Sequence, residues 1–207
     1  MINSNLIERS LISLKNKNIP NAEIDLRILL KQASYVKQDI ILSNINMNNV
    51  NINLFNSLLT KRLNRQPISK IIKKKNFWKY EFFVNSDVLD PRPESELIIE
   101  EVLSSLGNIN KNKIKILDIG TGSGCLAISL SKEINNSTVT AIDISKKALK
   151  VAKKNIEIFN LEKKIKLKLC DFRDINEKFD IIVSNPPYIK ETDFNNLQIE
   201  IKNFEPK

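Results

Sequence analysis

The segment Lys113-Ile114-Lys115-Ile116-Leu117-Asp118-Ile119-Gly120-Thr121-Gly122-Ser123-Gly124-Cys125 reads as a strand, a tight loop and the approach to a helix. Ile114, Ile116, Leu117 and Ile119 form an apolar run suited to a buried strand, and Leu126 to Leu130 continue as a helical pattern. The chain holds 4 glycines in 207 residues, and Gly120, Gly122 and Gly124 are all but one of them. Without a Cβ such positions accept positive φ and let a ligand approach the backbone closely, while the helix that follows presents unpaired N–H groups in its first turn. Strand, glycine loop and helix in this order predict an α/β fold with a ligand at the loop.

The spacing narrows the ligand. A dinucleotide loop reads Gly-x-Gly-x-x-Gly, whereas this one reads Gly-x-Gly-x-Gly and places an acid, Asp118, two residues before its first glycine. Asp143 ends a second apolar run, Val139-Thr140-Ala141-Ile142, where a carboxylate on the second strand can accept both hydroxyls of a ribose. A ribose together with an acid at the loop, instead of a pyrophosphate cradle, fits S-adenosylmethionine, with its methionine ammonium near Asp118. A glycine turn that merely joins strand to helix would not need both acids.

Composition excludes more than it selects. At 207 residues and 42% apolar content the chain suffices for one large or two modest domains. The net charge of +9 admits a nucleic-acid partner, but Lys, Asn and Ile are abundant throughout, so lysines scattered over solvated faces explain the excess equally well. Cys125 and Cys170 lack C-x-x-C spacing and read as buried, reduced thiols of a cytoplasmic protein. Met1 to Asn18 carries charges where a signal peptide has its apolar core, and no apolar run reaches membrane length. The sequence has no histidine, which removes Ser-His-Asp and Cys-His catalysis, H-E-x-x-H metal sites and any imidazole base.

Along the chain, residues 1–75 predict a helical bundle. Leu6, Ile7, Leu11, Ile12 and Leu14 share one face, Ala22 to Ala33 repeats the pattern with Ile24, Leu26, Ile28, Leu29 and Leu30, and Leu54 to Leu63 adds a third helix, with a short segment at Asp39 to Leu42. This region reads either as a plain helical cap or as a docking module for a macromolecular substrate. Residues 76–92 are a hairpin and linker, with Phe77, Trp78, Tyr80, Phe82 and Phe83 suited to strands and to packing more than to base stacking. Pro93 opens a helix that runs to Leu106 and stops at Gly107, with Glu94 and Glu96 in its positive first turn. Arg92, between Pro91 and Pro93, is either a structural ion-pair partner or a site residue.

Residues 93–207 then alternate strand and helix as a parallel, doubly wound sheet. Ser145 caps a helix with Ala148, Leu149, Ala152 and Ile156 inward, Ile165 to Cys170 is a third strand and Phe179 to Ser184 a fourth. The third strand brings Asp171 and Phe172 to the sheet edge that carries Gly120 and Asp143, where ligands bind in open α/β sheets. Phe172 reads equally as an adenine cover or as core.

The fourth strand ends in Asn185-Pro186-Pro187-Tyr188. The prolines fix φ and remove two N–H donors, so the Asn185 amide and the Pro186 carbonyl are offered as acceptors. Two acceptors suit methyl transfer to a planar amide or aromatic amine, whose nitrogen lone pair is delocalised. Binding its two N–H hydrogens aims the lone pair and stabilises positive charge developing on nitrogen, with no dedicated base required.

The helical N-terminal region, Pro91-Arg92-Pro93-Glu94-Ser95-Glu96, Asp118 through Gly124, Asp143 and Asn185-Pro186-Pro187-Tyr188 together resemble the peptide chain release factor glutamine methyltransferases over nearly the whole chain. Asn-Pro-Pro-Tyr alone is shared with adenine-amino DNA and guanine-amino rRNA methyltransferases; Pro-Arg-Pro-Glu before the ligand domain is the more specific motif. The resemblance implies a Rossmann-like methyltransferase sheet behind a small all-α domain, and methylation of the glutamine amide in the Gly-Gly-Gln motif of class-1 release factors, which would be its protein partners. It places cofactor binding at Asp118, Gly120, Thr121, Gly122, Ser123, Gly124, Asp143, Asp171, Phe172 and Asn185, catalysis at Asn185 and Pro186, and the glutamine at Asn185, Pro186, Pro187 and Tyr188. Two positions depart from the family: Lys70-Ile71-Ile72-Lys73-Lys74 lacks the glycine usual before the hairpin, and Phe172 stands where tryptophan is frequent. The competing readings are a ribosomal-protein glutamine methyltransferase, a nucleic-acid amino methyltransferase and a catalytically impaired docking fragment.

The chain stops at Phe204-Glu205-Pro206-Lys207, soon after Tyr188, where the family continues through further strands. The expectation is a C-terminally truncated sheet in strand order 3-2-1-4, with the strand that carries Asn185 at an open edge although Ile181, Ile182 and Val183 read as buried.

Overall fold

The computed structural model describes residues 2–36, 42, 45–106, 113–186 and 199–206. The chain divides into two compact units, Met1–Lys73 with Gln198–Phe204, and Lys74–Leu197 with Glu205–Lys207. The segment expected at Asp39 to Leu42 falls, except for Leu42, outside the described residues, as does Gly107. No helix among them is long and apolar enough to cross a membrane.

The first unit is helical: α1 (Ile2–Asn16), α2 (Ala22–Ala33), α3 (Ile52–Leu63), α4 (Ile68–Ile72) and, from the far end of the chain, α8 (Ile199–Phe204). Asn51 caps α3 by accepting from the Leu54 N–H. Leu14, Leu26, Leu29, Leu30 and Phe55 are fully buried, so the 3.6-residue pattern holds, but its outline shifts. Ile12 and Ile24 face solvent, while Asp25 lies in the buried stripe of α2. Asp25 is tolerated there because Arg62 of α3 donates to it at 2.7 Å, and Glu200 of α8 closes on Arg62 and Arg65 at 3.5 and 3.0 Å. A long-range ion pair leaves no mark on local periodicity, which by itself selects Ile24 for that face.

The second unit opens with an antiparallel hairpin, β1 (Lys74–Phe77) and β2 (Tyr80–Phe83), two residues earlier than its aromatic cluster suggests. Phe77 and Phe82 are buried, and Phe159 meets Tyr80 and Phe82 at ring-centroid distances of 5.6 and 5.3 Å. The Trp78 indole and Tyr80 hydroxyl donate to Glu133, so these aromatics pack and anchor the hairpin. A 3-10 turn at Pro93–Ser95 precedes α5 (Glu96–Ser105).

Four parallel strands follow in the spatial order β5-β4-β3-β6: β3 (Ile114–Ile119), β4 (Ser137–Asp143), β5 (Ile165–Leu169) and β6 (Ile181–Ser184). Helices α6 (Cys125–Glu133) and α7 (Lys146–Ile158) connect them. The order reverses beside β3, which makes the carboxyl ends of β3 and β6 a topological switch point. The expected order holds; the expected burial of β6 holds only in part. Val183 is buried, whereas Ile182 is 61% exposed, because β6 has a hydrogen-bonded neighbour on one side only among the described residues. On α7 the inward set gains Val151, and Leu149 is half-buried. Cys125 and Cys170 are free thiols, each half-buried and not the fully buried pair expected; burial of its sulfur pushes the Cys125 thiol up to about 12.

Asn155 of α7 carries no apolar signal, yet it is wholly buried. Its carboxamide accepts from the Phe83 N–H at 2.8 Å and donates to the carbonyls of Phe83 and Ser123 at 2.9 and 2.8 Å. One side chain thus ties the hairpin to the glycine loop. Asn155→Ala leaves the buried Ser123 carbonyl and the two partly buried groups of Phe83 without their partner and is expected to destabilise the unit by roughly 2–4 kcal/mol. A lower urea midpoint at unchanged m-value checks this.

Candidate active site

The carboxyl ends of the strands collect most of the residues singled out in the sequence. After β3 the loop turns through Gly120, Gly122 and Gly124 at φ of 69°, 55° and 82°. Gly120 and Thr121 donate their N–H groups to the Ile142 carbonyl at 2.9 Å each, which ties the loop to β4. Gly124 is fixed by packing as well as by φ, since a Cβ there would stand 3.4 Å from both Ala152 Cβ and Ile128 Cδ1. A Cβ on Gly120 would meet nothing within 4 Å, so that side of the loop is open to a ligand.

Asp118, near the end of β3, is 1% exposed. Its Oδ2 accepts from the Thr121 hydroxyl at 2.6 Å, while Oδ1 is buried with no well-aligned hydrogen-bond partner among the described residues. Burial raises this carboxyl from 3.8 to about 6, opposed by the Thr121 hydroxyl and the Ala127 amide. Thr121 and Ser123 themselves turn inward, 5% and 3% exposed, so they shape the loop and present no polar surface at its mouth. Asp143, at the end of β4, accepts from the Gly122 N–H at 3.0 Å and the Ser145 N–H at 2.8 Å, which fixes its carboxylate plane against the loop.

Beyond β5, Phe172 is 58% exposed, which removes the core alternative for it. Asp171 is occupied: Arg173 donates to it through Nε at 2.9 Å and through Nη2 at 2.8 Å, and this pairing holds the carboxyl down to about 2. The spacing Asp-x-Arg is visible in the sequence, but its significance depends on the tight turn that brings the two together.

Asn185 leaves β6 directly after Ser184, whose hydroxyl donates to the Ile119 carbonyl at 3.0 Å and fastens the strand end to β3. The Asn185 amide nitrogen donates to Ser95 Oγ at 2.6 Å, across 90 positions of sequence. Ser95 is 5% exposed, and nothing in the sequence sets it apart from its neighbours within Pro-Arg-Pro-Glu-Ser. In the same turn Arg92 meets Glu205 at 2.6 Å, so Arg92 is an ion-pair partner. Pro186 is exposed, and Pro187 and Tyr188 lie outside the described residues.

The arrangement offers a buried carboxylate oxygen without a donor, an open glycine loop, a fixed carboxylate at Asp143 and an exposed ring at Phe172. These fit a ligand with an ammonium, a ribose and an aromatic base, as S-adenosylmethionine has. Comparison with known proteins agrees. Residues 93–201 match the methyltransferase small domain family. The chain is 37% identical over 187 residues to a release factor glutamine methyltransferase of Flavobacterium psychrophilum, covering 86% of this chain and 64% of that one. With a release factor glutamine methyltransferase of Leptospira interrogans it shares 38% identity over 208 residues, 97% of this chain and 72% of the relative. A bifunctional methyltransferase of Rickettsia typhi is 38% identical over 209 residues, 91% of this chain and 40% of the relative. The chain thus spans from about two fifths to somewhat over two thirds of the length of these relatives.

Proposed function

The chain belongs to the release factor glutamine methyltransferase family, and we propose that it methylates the side-chain amide nitrogen of a protein glutamine, that of the Gly-Gly-Gln motif in class-1 peptide chain release factors, with S-adenosylmethionine as methyl donor. The observation that carries the reading is Asn185, held through its amide nitrogen at the switch point beside the glycine loop, so that its oxygen is left to accept. The cofactor supplies an electrophilic methyl group on a sulfonium.

Asp118 Oδ1 gives the methionine ammonium the buried acceptor that lacks a donor, and Asp143 takes the ribose hydroxyls while its backbone bonds hold it still. Phe172 borders the adenine, and Asp171, already paired with Arg173, acts there through the shape of its turn more than as a free acceptor. Asn185 Oδ1 and the Pro186 carbonyl accept the two N–H hydrogens of the glutamine amide. They aim its lone pair and stabilise the charge that develops on nitrogen as the N–C bond forms and the S–C bond breaks. The surplus proton then leaves the nitrogen for solvent water. Pro187 and Tyr188 complete the motif by resemblance, and the helical unit is the docking module for a macromolecular substrate in the cytoplasm.

Asp143→Ala is expected to weaken S-adenosylmethionine binding by roughly 1–3 kcal/mol, the cost of leaving hydroxyl donors without a charged acceptor. Calorimetric titration reads this directly, and unchanged affinity removes Asp143 from the site. The function itself is tested by incubating the protein with isotopically labelled S-adenosylmethionine and, separately, a class-1 release factor, large-subunit ribosomal proteins, or RNA and DNA. Label on the Gly-Gly-Gln glutamine, located by mass spectrometry, supports the proposal. Label confined to a ribosomal protein or to nucleic acid replaces the substrate with the one found.

A further inference from the structure

Asn185 has a carboxamide with two chemically different ends, and only one orientation offers the oxygen to a substrate amide. A terminal carboxamide torsion is broad and roughly two-fold, so the strand alone does not choose between the ends. In the structure Ser95 makes the choice by acting as acceptor, although a hydroxyl has a proton to donate as well. Ser95 Oγ takes the Asn185 Nδ2–H at 2.6 Å in a place where Ser95 is 5% exposed and water competes little. Two further contacts keep that acceptor still. The Ser95 N–H closes the 3-10 turn on the Arg92 carbonyl at 3.0 Å, and the Arg92 guanidinium is pinned by the largely buried Glu205 carboxylate at 2.6 Å. On the other side, the Ser184 hydroxyl fixes the start of the motif to β3.

We infer that Ser95 is a positioning residue for the methyl transfer, its hydroxyl oxygen selecting the rotamer of Asn185 that turns Oδ1 toward the substrate nitrogen. The inference rests on the reading of Asn185 as the amide acceptor. It gives the Pro-Arg-Pro-Glu-Ser segment a definite role, in which the prolines and the Arg92–Glu205 pair make a rigid bracket and Ser95 is the point at which the bracket touches the chemistry. Ser95 itself need not meet cofactor or substrate.

Two measurements on the full chain separate this inference from the functional reading. In the free protein, the Asn185 side-chain amide pair is identified in a ¹⁵N–¹H spectrum by its disappearance in Asn185→Ala. It is expected to be shifted and slow to exchange with solvent in the wild type, and to collapse to the position and exchange rate of a free asparagine in Ser95→Ala. In turnover, Ser95→Ala is expected to lower kcat between about 10- and 100-fold, the scale of a misaligned reacting group, with S-adenosylmethionine affinity unchanged and with Ser95→Thr restoring most of the loss. An Asn185 amide pair indifferent to Ser95→Ala overturns the inference whatever the substrate proves to be. Retention of full kcat by Ser95→Ala overturns it too. If the amide pair responds but release factor is not methylated even by the wild type, the orientation by Ser95 stands and the substrate assignment falls.

Discussion

Asn185→Ala is expected to lower turnover by about 10²-fold or more while S-adenosylmethionine affinity stays within about a factor of two. The size follows from what is lost: one preorganised acceptor facing the atom on which positive charge grows is typically worth this much. The selectivity follows from where Asn185 sits. Its nitrogen is engaged by Ser95 at the end of β6, whereas the unpartnered carboxylate and the glycine turns expected to hold the cofactor belong to β3 and the loop after it. Folding is expected to change little, since Asn185 is only half-buried and gives up a single hydrogen bond among the described residues, that to Ser95. Single-turnover methylation with saturating cofactor isolates the chemical step. A variant that turned over at the wild-type rate would show that the glutamine amide is held by other groups.

The α/β architecture was legible because its signals are local. The β-strands after Lys113 are rich in Ile, Leu and Val, with β5 alternating these with Lys166 and Lys168, Ser145 announces its helix as an N-cap, and three glycines within five positions have few structural uses. Asp118, Asp143 and Asn185 were legible at the sheet edge for the same reason: each lies at or next to the carboxyl end of a strand, and parallel strands bring those ends to one side. What escaped was every interaction that depends on two distant segments meeting. Asp25 reads as a solvent-facing acid until Arg62 is known to lie against it. Asn155 reads as a helix-surface residue until the hairpin and the glycine loop converge on it. Ser95 reads as a weak N-terminal residue of α5, and its meeting with Asn185 is a tertiary event with no sequence period. The over-reading of Ile182 has a related cause. Apolar residues on an edge strand look like those on a central one, and only the strand's neighbours tell them apart.

Asp118→Asn is expected to make the free protein more stable at neutral pH and the cofactor complex weaker, and the pH dependence of the first effect identifies its cause. In the native chain burial holds the Asp118 carboxyl protonated up to about pH 6, whereas the unfolded chain releases that proton near 3.8. Between those values the native state binds more protons than the unfolded state, so this group's contribution to stability falls as pH rises from about 4 to about 6. Above that window the native protein carries a buried charge whose Oδ1 lacks a donor, a cost on the order of 3 kcal/mol at about 1.4 kcal/mol for each pH unit of displacement. Asparagine keeps an oxygen for the Thr121 hydroxyl and never ionises, so its advantage is full at pH 7.5 and small near pH 4. For a chain of this size it amounts to several degrees in Tm. Saturating S-adenosylmethionine is expected to narrow the difference by about 1.4 to 2.7 kcal/mol, because in the proposed complex the ammonium gives Oδ1 a donor, and the neutral variant is expected to bind it about 10- to 100-fold more weakly, the range of a lost charged hydrogen bond. Melting curves of both proteins at pH 4.5 and 7.5, with and without cofactor, carry the whole test. A stability difference that ignores pH, or a variant that binds cofactor as tightly as the wild type, would mean that Asp118 serves the loop through Thr121 alone.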